Sequence, residues 1–398
     1  MTRTEVRASA SLAAVFALRM LGLFLILPVF SVHARGMPGG GNATLIGLAL
    51  GMYGLTQSFG QIPFGIASDR YGRKRIIIIG LLLFAIGSFI AAAASHIVWV
   101  IVGRGIQGSG AISAAITALI ADSTREEHRT KAMAMVGASI GLSFAVSLVA
   151  APLLYSAIGM GGMFLLIGLM SLAAILVVLY VVPPAAPLPP QPARFAEVLK
   201  SRELMRLNFG VFALHLTQMA MFVVVPAALV RTMGLPVAEH WKVYLPVVLL
   251  SFVLMLPPVF VGEKHGRMKQ VFVGAISLLL LVQVGMWFTL SHATPHWLPL
   301  VALLLAFFVA FNILEASQPS LVSRIAPPGG RGAALGVYNT LQALGLFCGG
   351  AAGGWLTQHV GPSAVFMLGG GLTVLWLIIA FNMQNLPRRG PRQQPAAV

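Results

Sequence analysis

Asn312, Glu315 and Gln318 stand three residues apart inside "WLPLVALLLAFFVAFNILEASQPSLVSR", an otherwise oily run. Of the ten acidic residues in the sequence, Glu315 alone lies well within such a run. A carboxylate in hydrocarbon costs on the order of 3 kcal/mol or more unless it is protonated, paired or wetted, which makes Glu315 a candidate for taking up and releasing a proton. On a helix the three residues share one broad face, so Asn312 and Gln318 are expected to look with Glu315 into a polar cavity. The plainer alternative is a neutral acid bonded to a neighbouring helix. His215 and Gln218 form a similar i, i+3 pair in another oily run, and imidazole titrates closest to neutral pH. His215 is thus a second proton candidate, set against ordinary hydrogen-bonded packing.

Two arginines also lie inside oily runs. Arg104 shares a helix face with Gln107 and Gly108 and must meet carbonyls, water or an acid, since an unpaired guanidinium there is very costly. Arg19 is expected to face a cavity, where it could hold an anionic substrate group or pair with Glu315. Polar stripes at helical spacing, Tyr53 with Gln57 and Gln61, and Asn339 with Gln342, fit a wet cavity wall as well as ordinary interhelical hydrogen bonding. One charged cluster lies between two oily runs, "GIASDRYGRKR" from Gly65 to Arg75. There Asp69 ends a helix with unsatisfied carbonyls, Gly72 permits a tight reversal, and Lys74 and Arg75 anchor the next run outside the lipid.

The elements that must position these residues are membrane helices. Hydrophobic residues make up 58% of the 398 positions and charged ones 9%, with a mean hydropathy of +0.90, far from a soluble domain. Twelve runs are long enough to cross a hydrocarbon core of about 30 Å, at roughly 9–33, 45–67, 76–95, 98–121, 132–155, 161–182, 206–231, 242–261, 270–291, 297–322, 333–357 and 362–383. Of the 26 Lys and Arg residues, 21 fall on one side of that arrangement, which places both termini and the loop after span 2 in the cytoplasm. The net charge of +16 is therefore topological, with anionic lipid as its partner, and argues against nucleic-acid binding. The single cysteine, Cys348, supports no disulfide framework, the nine histidines show no metal-ligand spacing, and no P-loop is present, so neither a metal, a cofactor nor an enzymatic activity is expected.

The one long polar break, from Pro183 to Arg206, divides the chain six plus six. This predicts a bundle over 1–183, a cytoplasmic linker at 184–205, a second bundle over 206–384 and a short cytoplasmic tail at 385–398. The halves echo each other: "DRYGRK" from Asp69 recurs as "EKHGRM" from Glu263, and Pro63 is matched by Pro257. Parallel six-helix repeats of this kind bind substrate near the midplane between the halves.

The cluster Gly65, Asp69, Arg70, Gly72, Arg73 and Lys74, with "RGIQGSGA" from Arg104 and "ALRMLGLFLILPVF" in span 1, resembles the signatures of the major facilitator superfamily over essentially the whole chain. Within it the nearest likeness is to YajR-type bacterial inner-membrane drug/proton antiporters. The resemblance implies an all-α fold of two six-helix bundles, a multi-pass protein of the bacterial inner membrane, and a monomer driven by the proton gradient. It implies export of a small lipophilic compound in exchange for protons. Proton-coupled import or facilitated passage of a polar metabolite, and a non-transporting receptor on the same fold, are the rival expectations. It further implies that Arg104 tunes the proton site. Asp69 would face the start of helix 11 near Arg331 and Gly332, and together with Arg70, Gly72, Arg73 and Asp122 would form a cytoplasmic gate.

Overall fold

The computed structural model describes residues 1–183, 195–292, 296–327 and 330–383. Fourteen α-helices run through them: α1 (Arg3–Phe24), α2 (Leu27–His33), α3 (Ala43–Tyr71), α4 (Arg73–Ala92), α5 (Ile97–Ser109), α6 (Ser113–Ser123), α7 (Glu126–Leu176), α8 (Phe195–Lys200), α9 (Arg202–Met233), α10 (Trp241–His265), α11 (Met268–Ser291), α12 (Trp297–Ile325), α13 (Arg331–His359) and α14 (Ala364–Phe381). No strand occurs among the described residues. The tail at 385–398 and the first half of the expected linker, 184–194, lie outside them, and so does the side chain of Arg331.

Nine helical stretches of the described residues are long and apolar enough to span a membrane. Helices α3 and α13 are not among them, because Gly, Thr, Gln and Asn dilute their apolar residues. Both pack along much of their length on other helices: α3 on α13, α4 and α5, and α13 on α3 and α9. A helix shielded from lipid can carry polar side chains that a lipid-facing one cannot. One of the nine stretches, Lys131–Val181, covers 51 residues and turns at Gly159, whose φ of 65° and ψ of 179° interrupt the helix where two expected spans meet. Span 1 is likewise divided into α1 and α2 at Leu25 and Ile26, with Pro28 in the first turn of α2 where its missing N–H leaves no bond unmade.

Helix starts follow from capping chemistry. Thr2 and Glu5 form a reciprocal capping box on α1, Asn42 accepts from Thr44 N (2.9 Å) at α3, and Ser201 accepts from Leu204 N (3.4 Å) at α9. His96 and His296 cap α5 and α12 in the same way, each accepting on Nδ1 from the N–H two residues on at 3.2 Å. These are equivalent positions in the two halves of the repeat, an echo the sequence comparison did not pick out.

The backbones of α3 and α13 touch at one end. A Cβ on Gly51 would lie 2.8 Å from Phe347 O, and one on Gly350 2.9 Å from Gly51 Cα, so only glycine permits this approach. At the other end Gly72, Gly332 and Gly336 meet no atom within 4 Å of an added Cβ. The close contact thus runs through the Ala43–Gly54 end of α3, opposite the end that carries Asp69.

Candidate functional site

Two buried polar clusters lie in different parts of the helix array. The first joins α9, α12 and α13. His215 Nδ1 lies 2.9 Å from Val211 O, and a carbonyl can only accept, so Nδ1 carries the proton. In the neutral ring Nε2 is then an acceptor, and the Gln342 amide N–H donates to it at 2.7 Å. Glu315 Oε2 lies 3.6 Å from the same Nε2 and has no hydrogen-bond partner of its own. The buried Tyr338 hydroxyl, also unpartnered, is within electrostatic reach of Glu315. Protonating Nε2 would leave the Gln342 donor facing another donor while bringing a charged N–H toward the idle carboxylate oxygen. His215, Glu315 and Gln342 thus bring α9, α12 and α13 together around one ring nitrogen.

Asn312 does not join this cluster. Its amide donates to Ser251 Oγ at 3.0 Å and ties α12 to α10, so the expected common face of Asn312, Glu315 and Gln318 divides between two neighbours. The reason is angular: three residues at i, i+3 and i+6 spread over about a third of the helix circumference. Gln318 and Gln218 are buried with neither amide atom bonded, and Asn339 is half-buried.

The second cluster is built on α1, α3, α5 and α6. Tyr53 lies between two guanidiniums, with Arg104 Cζ 5.0 Å and Arg19 Cζ 5.6 Å from its ring centroid. Arg104 donates to Gln107 Oε1 (3.0 Å) and to Ala49 O and Leu50 O (3.4 Å each), and Gln107 in turn donates to Ser88 Oγ (2.7 Å). These bonds stitch α5 to α3 and α4. Arg19 Nη1 donates to Ser113 Oγ at 3.1 Å, while its Nε and Nη2 are buried without partners. The break at Gly110–Ile112 makes Ser113 the first residue of α6 and puts its hydroxyl there. Arg19 does not pair with Glu315, whose ionic neighbour is His215. Tyr53, Gln57 and Gln61 are buried side chains rather than an open wall.

At the end of α3, Asp69, Arg73 and Asp122 meet, while Asp69 pairs with Arg73 and, among the described residues, not with the start of α13. Gly72, at φ 97°, ends α3 and lets α4 begin at Arg73. Arg73 pairs with Asp69, with Asp122 Oδ2 (3.0 Å) and with Ser68 Oγ (2.8 Å), the last a partner unnoticed in the sequence. Arg70 stands apart, its guanidinium 5.4 Å from the Tyr71 ring. The Asp69 side chain is 47% exposed. The second half carries the same link with the charges exchanged: Glu263 in the echoed loop meets Arg324 at 3.5 Å.

Five phenylalanines converge beside His215. Phe144 of α7 contacts Phe24 (5.0 Å), Phe311 (5.6 Å), Phe308 (5.9 Å) and Phe222 (6.4 Å) between centroids, and Phe311 lies 5.9 Å from the His215 ring. Each sits in an oily run, so nothing in spacing marks it. Among the described residues no group of three or more His, Cys, Asp or Glu could hold a metal.

An all-helical array with sparse charges buried between glycine-rich helices is the architecture of a polytopic membrane carrier. The family model for the Major Facilitator Superfamily matches residues 12–347 and 207–397, and the chain belongs to that family of transporters. It is 42% identical over 393 residues to the inner membrane transport protein YajR of Escherichia coli K12, covering 97% of this chain and 85% of that one. It is 27% identical to the multidrug resistance protein MdtH of Aeromonas hydrophila, covering 90% and 88%. Among solved structures, a bacterial homolog of the human lysosomal transporter Spinster superposes with a TM-score of 0.74 at 13% identity, covering 96% and 97%. The protein is a multi-pass inner-membrane protein and not an enzyme.

Proposed function

We propose that the protein is a proton-coupled secondary transporter that exports a small lipophilic compound by alternating access. The observation that carries this reading is the Glu315–His215–Gln342 contact, in which an idle carboxylate oxygen waits 3.6 Å from an imidazole nitrogen already committed as an acceptor. The Phe24, Phe144, Phe222, Phe308 and Phe311 cluster beside it supports an apolar substrate, and the printed name of the MdtH relative points the same way.

In this reading the chain crosses the membrane twelve times as two six-helix bundles, 1–183 and 206–384, with both termini cytoplasmic. The nine apolar stretches, α3, α13 and the second limb of α7 make up the crossings. The molecule is closed at the Ala43–Gly54 end of α3, and the half-exposed Asp69 belongs to a gate disengaged from α13 on the opposite side. Arg73 and Asp122 keep their pair in this state and Gly72 keeps the turn. The chain acts as a monomer, and the proton gradient is its energy source.

The test is proton movement in liposomes carrying a pH-sensitive dye, with an imposed gradient and a panel of lipophilic cations and neutral aromatic compounds. Compound-dependent proton efflux is expected. A second reading, import or facilitated passage of a polar anionic metabolite, draws on the two unpartnered N–H groups of Arg19. Flux confined to small carboxylates would favour it.

A further inference from the structure

A cleft of about 410 Å³ opens where the start of α1, the start of α4 and the end of α7 meet. Arg3, Arg7 and Lys74 line one side of it, and Leu179, Tyr180 and Val181 the other. The apolar wall belongs to a π-helical turn, Val177–Val181, against which both α1 and α4 pack. Lys74 Nζ donates to Val182 O, which fixes its ammonium at the cleft with two donors left over.

The charge balance of the cleft is one-sided. No acid lines it. Among the described residues none of the three cations pairs with a carboxylate. The nearest acid in sequence, Glu5, is taken by Arg125 and by the α1 cap: its carboxylate accepts from Arg125 N and Nε at 3.0 Å and from Thr2 N at 2.6 Å. The opposite wall is exposed apolar surface, with Tyr180 77% exposed beside Leu179 and Val181. Cations facing an uncovered apolar strip topped by a tyrosine match the boundary between headgroups and acyl chains.

We propose that this cleft is a binding site for an anionic phospholipid, whose headgroup phosphate lies among Arg3, Arg7 and Lys74 and whose first acyl carbons cover Leu179 and Tyr180. A general attraction of basic loops to an acidic leaflet needs no particular residues; this site does. Because Lys74 directly follows Arg73, the bound lipid also braces the helix start that carries the Asp69–Arg73–Asp122 contacts.

The experiment is native mass spectrometry of the full chain in detergent with phosphatidylglycerol or phosphatidylcholine of identical acyl chains. The wild type is compared with Arg3→Gln/Arg7→Gln/Lys74→Gln and with Lys264→Gln/Arg267→Gln/Lys269→Gln, which removes the same charge from the echoed loop. The cleft variant is expected to lose phosphatidylglycerol affinity on the order of a hundredfold, to the phosphatidylcholine level, while the other variant keeps it. Single Lys74→Gln is expected to fall in between, which keeps the test open if the triple variant is poorly folded. Equal loss in both triple variants, or loss in neither, overturns the site. Full displacement of the lipid by excess inorganic phosphate would also overturn it, leaving a phosphate site in place of a lipid site.

Discussion

The two buried clusters are opposites in chemistry. Around His215 and Glu315 stand two ionisable side chains, and the hydrogen bonds of the ring have one self-consistent set of proton positions, with Nδ1 donating and Nε2 accepting. Around Tyr53 stand two guanidiniums whose charge is permanent, with no acid among their bonded partners. The first holds side chains that can gain or lose a proton, and the second holds fixed charge. Within the second cluster there is a further division, since Arg104 has three acceptors and Arg19 one.

The sharpest way to break that division is to remove each guanidinium in turn. Arg104→Met leaves the Gln107 side-chain oxygen without its donor in the core, removes the links to Ala49 O and Leu50 O, and is expected to cost about 3 kcal/mol of stability, read as a large drop in melting temperature in detergent. Arg104→Lys should recover little of it, because an ammonium cannot reproduce the planar fork. Arg19→Met removes a buried charge with two unmade N–H bonds, so its effect on stability is expected to be within about 1 kcal/mol of zero, while substrate flux is lost. If both variants melt alike, the contrast between a structural and a working arginine is wrong.

A subtler change concerns the proton cluster. The Gln342 N–H donates to His215 Nε2 and ties α13 to α9. Gln342→Leu removes that donor and leaves a buried ring nitrogen without a partner, so a loss of about 1–2 kcal/mol of stability is expected, read as melting temperature in detergent. Unchanged melting would mean that the 2.7 Å contact does not hold α13 to α9. The smallest effect is expected from Ser113→Ala, which removes one hydroxyl acceptor from Arg19 and should cost about 1 kcal/mol or less by thermal melting.

Much of this contrast could be read from the residues themselves. Glu315, Arg19 and Arg104 declare themselves because charge inside an oily run demands a reason. Gly72 and the loop echo at Glu263 declare the turns, since a reversal flanked by charges between spans leaves few other conformations. What stayed hidden depends on direction and on distance along the chain. Asn312 turns to Ser251 rather than to the cavity, Tyr338 approaches Glu315 from another helix, and five phenylalanines of four helices meet beside His215. None of these carries a local signal, because a Phe in an apolar span looks like every other lipid-facing or core side chain. The arginine partition was hidden for the same reason, as the carbonyls of Ala49 and Leu50 that hold Arg104 have no sequence signature.

The most direct measurement compares exchange with uphill transport in Glu315→Gln. Wild-type and variant proteins would be reconstituted in liposomes, and a compound that the wild type moves would be followed both in equilibrium exchange, without a gradient, and in gradient-driven accumulation. A carboxamide keeps the size and polarity of the side chain but cannot release a proton, so exchange is expected to persist within a few-fold while accumulation and proton movement fall to background. Accumulation that survives in Glu315→Gln at wild-type stoichiometry would contradict a proton site at Glu315 and His215.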